Sequence, residues 1–115
     1  MCSSDLVPYP VRCAAIASVS LLGAMAACTR PASRAHTVTI KNFAFEPAEL
    51  TIARGDTVVW SNTDFVPHSA TARDSAWDSK DIAANATWRD VPGKAGRYEY
   101  YCVLHPTMKG TIVVR

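Results

Sequence analysis

The sequence predicts an all-β sandwich of about seven short strands. Three observations carry that expectation. Polar and apolar residues alternate with a period of two over several short runs, as strands with one buried face require. Turn-forming pairs such as Arg54-Gly55 and Pro92-Gly93 separate those runs. No stretch of the expected domain carries a helical period of useful length.

The chain has 115 residues, enough for one domain with a self-sufficient core. Its first part reads differently from the rest. Arg12 precedes a run from Cys13 to Ala27 made almost wholly of Ala, Ile, Val, Leu, Met and Ser. That run is too short to span a bilayer and fits the apolar stretch of an export signal, so residues 1–27 are expected to be a leader. Its end, Met25-Ala26-Ala27-Cys28, resembles a bacterial lipobox in which Cys28 would become the lipidated first mature residue; cleavage at Ala24-Met25-Ala26 is the competing expectation. Met1 to Leu6 place an acid where a leader wants positive charge, and these residues are expected to be foreign to the gene.

Removing the leader also removes Cys2 and Cys13, leaving Cys28 and Cys102. Two disulfides would therefore have to pair across a cleaved segment and consume Cys102. The leader takes away one base, Arg12, and one acid, Asp5, so the formal charge stays at +2. This near-balance argues against a nucleic-acid partner.

Residues 28–35 form a short polar tether without periodicity, and the domain is expected over 36–115. Thr37 to Lys41, Glu49 to Ala53 and Asp56 to Ser61 are the first three strands, the last two joined through Arg54-Gly55. A weaker strand around Ser69 to Ala72 leads into a polar, irregular stretch. Thr87 to Val91, Gly96 to Cys102 and Gly110 to Arg115 complete the set. Trp60 and Trp88 are core candidates. Trp77, among Asp74, Ser75, Asp78, Ser79 and Asp81, is expected on an exposed, solvated loop, and His36 at the tether boundary is expected to be solvated.

The chemistry is concentrated near the C-terminus. Cys102, His105 and Met108 recur every third residue, placing a thiol, an imidazole and a thioether on one short loop. Thiolate and thioether are soft donors that favour copper, and two imidazoles with one thiolate and a weak axial Met make the blue-copper electron-transfer arrangement. A second imidazole is available from His68, at the end of Asn62-Thr63-Asp64-Phe65-Val66-Pro67-His68. The candidate ligands of one copper ion are therefore His68, Cys102, His105 and Met108. Tyr98, Tyr100 and Cys102 share one strand face, so the thiol ends a row that faces the core. Tyr98 is also placed to pin a connection through its hydroxyl. Pro67 stiffens the approach to His68, which is expected to be the buried imidazole. His105, beside Pro106, is expected to reach the surface. Phe65, Val66, Leu104 and Pro106, with Pro67, are expected to surround it as an apolar patch for brief docking. Taken singly, a Cys or a Met is more often core filler than a ligand; the joint spacing is what changes the reading.

On these residues the chain resembles the cupredoxins, the type 1 blue copper proteins, in their amicyanin/plastocyanin-like branch. The resemblance rests on Asn62 to His68, on Gly96-x-Tyr98-x-Tyr100-x-Cys102, and on Cys102-x-x-His105-Pro106-x-Met108-x-Gly110, a ligand loop similar in length to that of amicyanin. It implies an eight-stranded Greek-key sandwich, one type 1 copper cycling between cuprous and cupric forms, and single-electron transfer in place of catalysis. It further implies residence in the periplasm or on the outer face of a bacterial membrane. The implied partners are redox proteins such as a cytochrome c, an oxidase, a reductase or a dehydrogenase, met by a monomer. The family usually has Asn after the first His ligand, tying the two ligand loops together; here Ser69 takes that place, with Pro67 and Pro106 as further neighbours of the ligands. Copper buffering or delivery is the alternative, for which a His-rich or Met-rich segment would be expected, and zinc is chemically possible at similar ligands.

Overall fold

A computed structural model of the protein describes residues 32–115. The expected leader, and residues 28–31 of the expected tether with the lipidation candidate Cys28, lie outside the described residues. Eight strands follow: β1 (Ala35–Lys41), β2 (Ala44–Glu46), β3 (Glu49–Ile52), β4 (Thr57–Asn62), β5 (Thr71–Ala72), β6 (Thr87–Asp90), β7 (Gly96–Tyr101) and β8 (Lys109–Val114). No helix occurs among the described residues.

They form two mixed four-stranded sheets, ordered β2-β1-β4-β6 and β3-β8-β7-β5. β1 runs parallel to β4 and β3 parallel to β8, while the remaining pairs are antiparallel. The chain thus crosses between sheets after β2, and chain order and spatial order part company. Alternation drives each central strand: in β4, Val58, Trp60 and Asn62 are buried while the intervening residues are only partly covered. In β8, Gly110, Ile112 and Val114 point inward in the same way.

β2 was not expected from the sequence. It is three residues long and buries only Phe45, too little for a period of two to show. The strand expected around Ser69 to Ala72 shrinks to two residues, because Ser69 and Ala70 turn their backbone N–H groups to Cys102 Sγ and Ser79 Oγ.

The core joins both sheets through aromatic rings. Trp60 lies 5.6 Å from Tyr100 and 5.4 Å from Trp88, its cross-strand neighbour, and Phe45 meets Tyr100 edge-on at 4.7 Å. Trp77 overturns its expectation. It is buried at 5 % exposure, because its carbonyl accepts a hydrogen bond from Ala72 N and its ring folds against Trp60, Tyr98 and Tyr100. Ser79 is buried too, its hydroxyl bridging Ala70 N and the Lys80 carbonyl. The acids around Trp77 mark the outer side of this stretch, not the side on which the ring lies.

His36 also differs from expectation. It is only partly exposed, and its Nε2 lies 2.9 Å from Asp56 Oδ2. Asp56 accepts backbone N–H bonds from Arg34 and Ala53 as well, so the start of β1 is tied to the turn before β4. Tyr98 Oη donates to the Lys94 carbonyl at 2.7 Å, the pinned connection anticipated for it.

Candidate metal centre

Two segments bring the four sequence candidates together. The first leaves β4 at Asn62, a buried amide with every polar atom engaged. Its Nδ2 donates to the carbonyls of Val66, Ile82 and Ala83, and its Oδ1 accepts from Asp64 N. This shapes the approach to His68, whose backbone pairs with Ile82 in both directions. The second segment leaves β7 at Cys102 and re-enters β8. His105 N donates to the Cys102 carbonyl, Met108 N to the His105 carbonyl, and Cys102 N to the Met108 carbonyl. These bonds close the loop on itself.

His68 and Cys102 are fully buried, Met108 is buried in the core, and His105 is half-buried. The Nδ1 atoms of His68 and His105 each lie 3.7 Å from Cys102 Sγ. All three ligand atoms fall within 4.8 Å of one another. That spacing passes a simple test. Bonds of about 2.0 Å to an imidazole nitrogen and about 2.3 Å to a thiolate sulfur, opening at about 120°, separate the donors by about 3.7 Å. A first-row ion therefore fits among these atoms as they stand. The thiol is free of any disulfide, so the softest donor is available, and thiolate with thioether selects copper.

The outer contacts are as specific. Ser69 N donates to Cys102 Sγ at 3.3 Å, and Ser69 Oγ accepts from Val103 N at 2.8 Å. The shorter side chain thus still joins the two ligand segments. Pro67 and Pro106 flank the imidazoles and are exposed.

Two residues at the site escaped the sequence reading. Asp64 Oδ2 lies 2.8 Å from His68 Nε2, the ring nitrogen turned away from Cys102. Ligand imidazoles commonly donate their second N–H to a carboxylate, and an acid four positions before His68 was the available signal. Burial alone would raise the Asp64 pKa; hydrogen bonds from Phe43 N, Asn42 N and His68 outweigh it and hold the carboxyl below its ordinary range. Phe43 is the second. Its ring stands edge-on to both His68 and His105, at 5.1 and 4.9 Å. Nothing in its local sequence announces this.

The profile of the cupredoxin-like domain matches residues 13–114. The chain belongs to the cupredoxin-like family. It is 32% identical over 97 residues to amicyanin-alpha of Methylorubrum extorquens, covering 80% of this chain and 82% of the relative. A plastocyanin of Scenedesmus fuscus is 32% identical over 89 residues, covering 62% of this chain and 86% of the relative. Among solved structures, the Cu(I) form of an amicyanin mutant superposes with a TM-score of 0.68 at 29% identity, covering 74% of this chain and 86% of that one. With membership of this branch of cupredoxins go one type 1 copper as cofactor and the role of a small electron carrier, not an enzyme.

Proposed function

We propose that this cupredoxin carries single electrons between redox proteins outside the cytoplasm, with His68, Cys102, His105 and Met108 as the ligands of its copper. The observation that carries this reading is the pair of imidazole nitrogens held 3.7 Å from one buried thiol. When bound, copper supplies a one-electron couple between its cuprous and cupric forms. The chain's part is to keep the donors from rearranging between the two. His68 is fixed by its backbone pairing to Ile82 and by Asp64 at its far nitrogen. Cys102 is fixed by its backbone bond to Met108 and by the Ser69 N–H on its sulfur, which withdraws charge from the thiolate.

His105 is the way out for the electron, being the one of the two candidate ligand imidazoles with part of its surface uncovered. Phe65, Val66, Leu104 and Pro106 are exposed on the two ligand-bearing segments, Phe65 almost completely at 97%. Apolar residues so placed suit brief docking, in which water leaves the contact and few charged pairs delay release. The partner classes are those of exported electron chains: a cytochrome c, an oxidase, a reductase or a dehydrogenase. The leader over 1–27 supports export to the periplasm, and Cys28 offers a membrane tether with the carrier acting as a monomer.

The test is anaerobic copper titration of the protein, followed by visible absorption and electron paramagnetic resonance. The expected result is an intense thiolate-to-copper band with narrow hyperfine splitting, bleached reversibly by a reductant. A colourless product would overturn the ligand assignment and leave metal delivery or zinc binding as the better reading.

A further inference from the structure

Asn42 and Phe43 connect β1 to β2, and both have positive φ, 53° and 59°. A two-residue hairpin loop of this kind favours Asn at its first position and Gly at its second. Asn42 conforms. Phe43 does not, since a bulky side chain in the left-handed region is strained and persists only where its surroundings over-determine it. Burial does not explain the choice either, because Phe43 is 51% exposed.

What over-determines the turn is Asp64. Its carboxylate accepts N–H bonds from Asn42 at 2.7 Å and from Phe43 at 2.9 Å, and one of the same oxygens meets His68 Nε2 at 2.8 Å. One side chain thus links the hairpin to a metal ligand more than twenty residues away. The product of this arrangement is a ring set at 88° to both imidazoles, themselves 4.9 Å apart. Edge-to-face contacts of this sort are attractive and directional. The half-buried His105 has Phe43 on one side and His68 beside it, and these rings oppose its turning outward.

We infer that Phe43, braced by Asp64, is a positioning residue that aligns the two imidazoles before metal arrives. The inference rests on the copper reading above, and its test separates the two. The full chain is compared with its Phe43→Gly and Phe43→Leu variants at one pH. The readouts are the imidazole ring signals of the metal-free protein by nuclear magnetic resonance, the denaturant midpoint, and copper affinity. Phe43→Gly relieves the turn, so its midpoint should equal or exceed that of the parent. Its His68 and His105 ring signals should broaden and lose their distinct shifts. Its copper affinity should fall roughly 10-fold, the lower end of what outer partners of metal ligands contribute. Phe43→Leu keeps an apolar side chain without the ring and should give the same loss at the imidazoles; it decides the matter if the Gly variant does not fold. Sharp, unshifted ring signals and unchanged affinity in a folded variant would overturn the inference. A parent protein that never turns blue would instead defeat the copper reading, while the metal-free signals would still judge the alignment.

Discussion

Ser69 illustrates how one substitution relative to a family habit is absorbed. Its hydroxyl reaches Val103 N and its own N–H reaches Cys102 Sγ, so two contacts, over 34 and 33 positions, join the segments that carry the candidate ligands. Ser69→Ala removes the acceptor of Val103 N, a hydrogen bond worth about 0.5–1.5 kcal/mol net at this half-covered place. Chemical denaturation of the metal-free protein should show a loss in that range, and an unchanged midpoint would mean that water replaces the hydroxyl. At the ligands themselves, Cys102→Ser should abolish the visible band. Met108→Leu should retain copper and shift the reduction potential, since a thioether in the axial place tunes the site more than it binds. Absorption spectroscopy and voltammetry on the two variants check this, and the reverse pattern would overturn the roles. The four ligand candidates were legible because three of them share one short loop. Phe43 and the bracing role of Asp64 were not, because they depend on contacts between the β1–β2 hairpin and residues more than twenty positions away.

Elements hold the site through pairing and turns. Gly110 opens the inward row of β8 directly opposite Tyr100 of β7. A methyl group there would lie inside contact distance of the Tyr100 ring, which is fully buried among Trp60, Trp77 and Phe45. Gly110→Ala should therefore destabilise by about 1–3 kcal/mol through overpacking, measurable as a lower denaturant midpoint. Asp56 performs a different task, binding the start of β1 to the turn after β3. The Arg34 N–H, then the His36 ring and the Ala53 N–H, hold its carboxyl down to about 2 from an ordinary 3.8. A depressed folded value means that this stabilisation is fully present above the unfolded pKa and is lost as pH falls through the folded one. The window thus runs from about pH 4 down to about pH 2. Asp56→Asn should be less stable than the parent at neutral pH, with the gap closing through that window. Denaturation midpoints measured at successive acidities check it, and a gap independent of pH would contradict it.

At the scale of the whole molecule, a cross-sheet core carries a metal site on two connections at one end of its strands. A surface cavity of about 580 Å³ is lined by residues that include Glu49, Arg73, Glu99, Tyr100 and Lys109 and by none of the four candidate ligands. In the proposed role, exchange of electrons runs over the exposed apolar residues of the two segments that carry the candidate ligands. Leu104→Glu adds a charge to that surface and should slow electron exchange with a redox partner while leaving the visible band in place. Stopped-flow mixing measures the first and absorption the second. Unchanged kinetics would move docking to another face.

By itself the sequence determined the strand alternation and pointed to the candidate donors, because the alternation and the Cys102, His105 and Met108 spacing are written in neighbouring positions and need only a period or a spacing to be read. It did not determine where Trp77 and His36 lie or that β2 exists, since each depends on residues brought from another strand or turn. The tertiary structure alone decided that Asp64 backs His68, that Ser69 spans the ligand segments, and that the Phe43 ring stands against both imidazoles. The physical reason is common to all three. These are directional contacts a few ångströms long between residues 4 to 62 positions apart, and only the closed sandwich fixes which of them can meet.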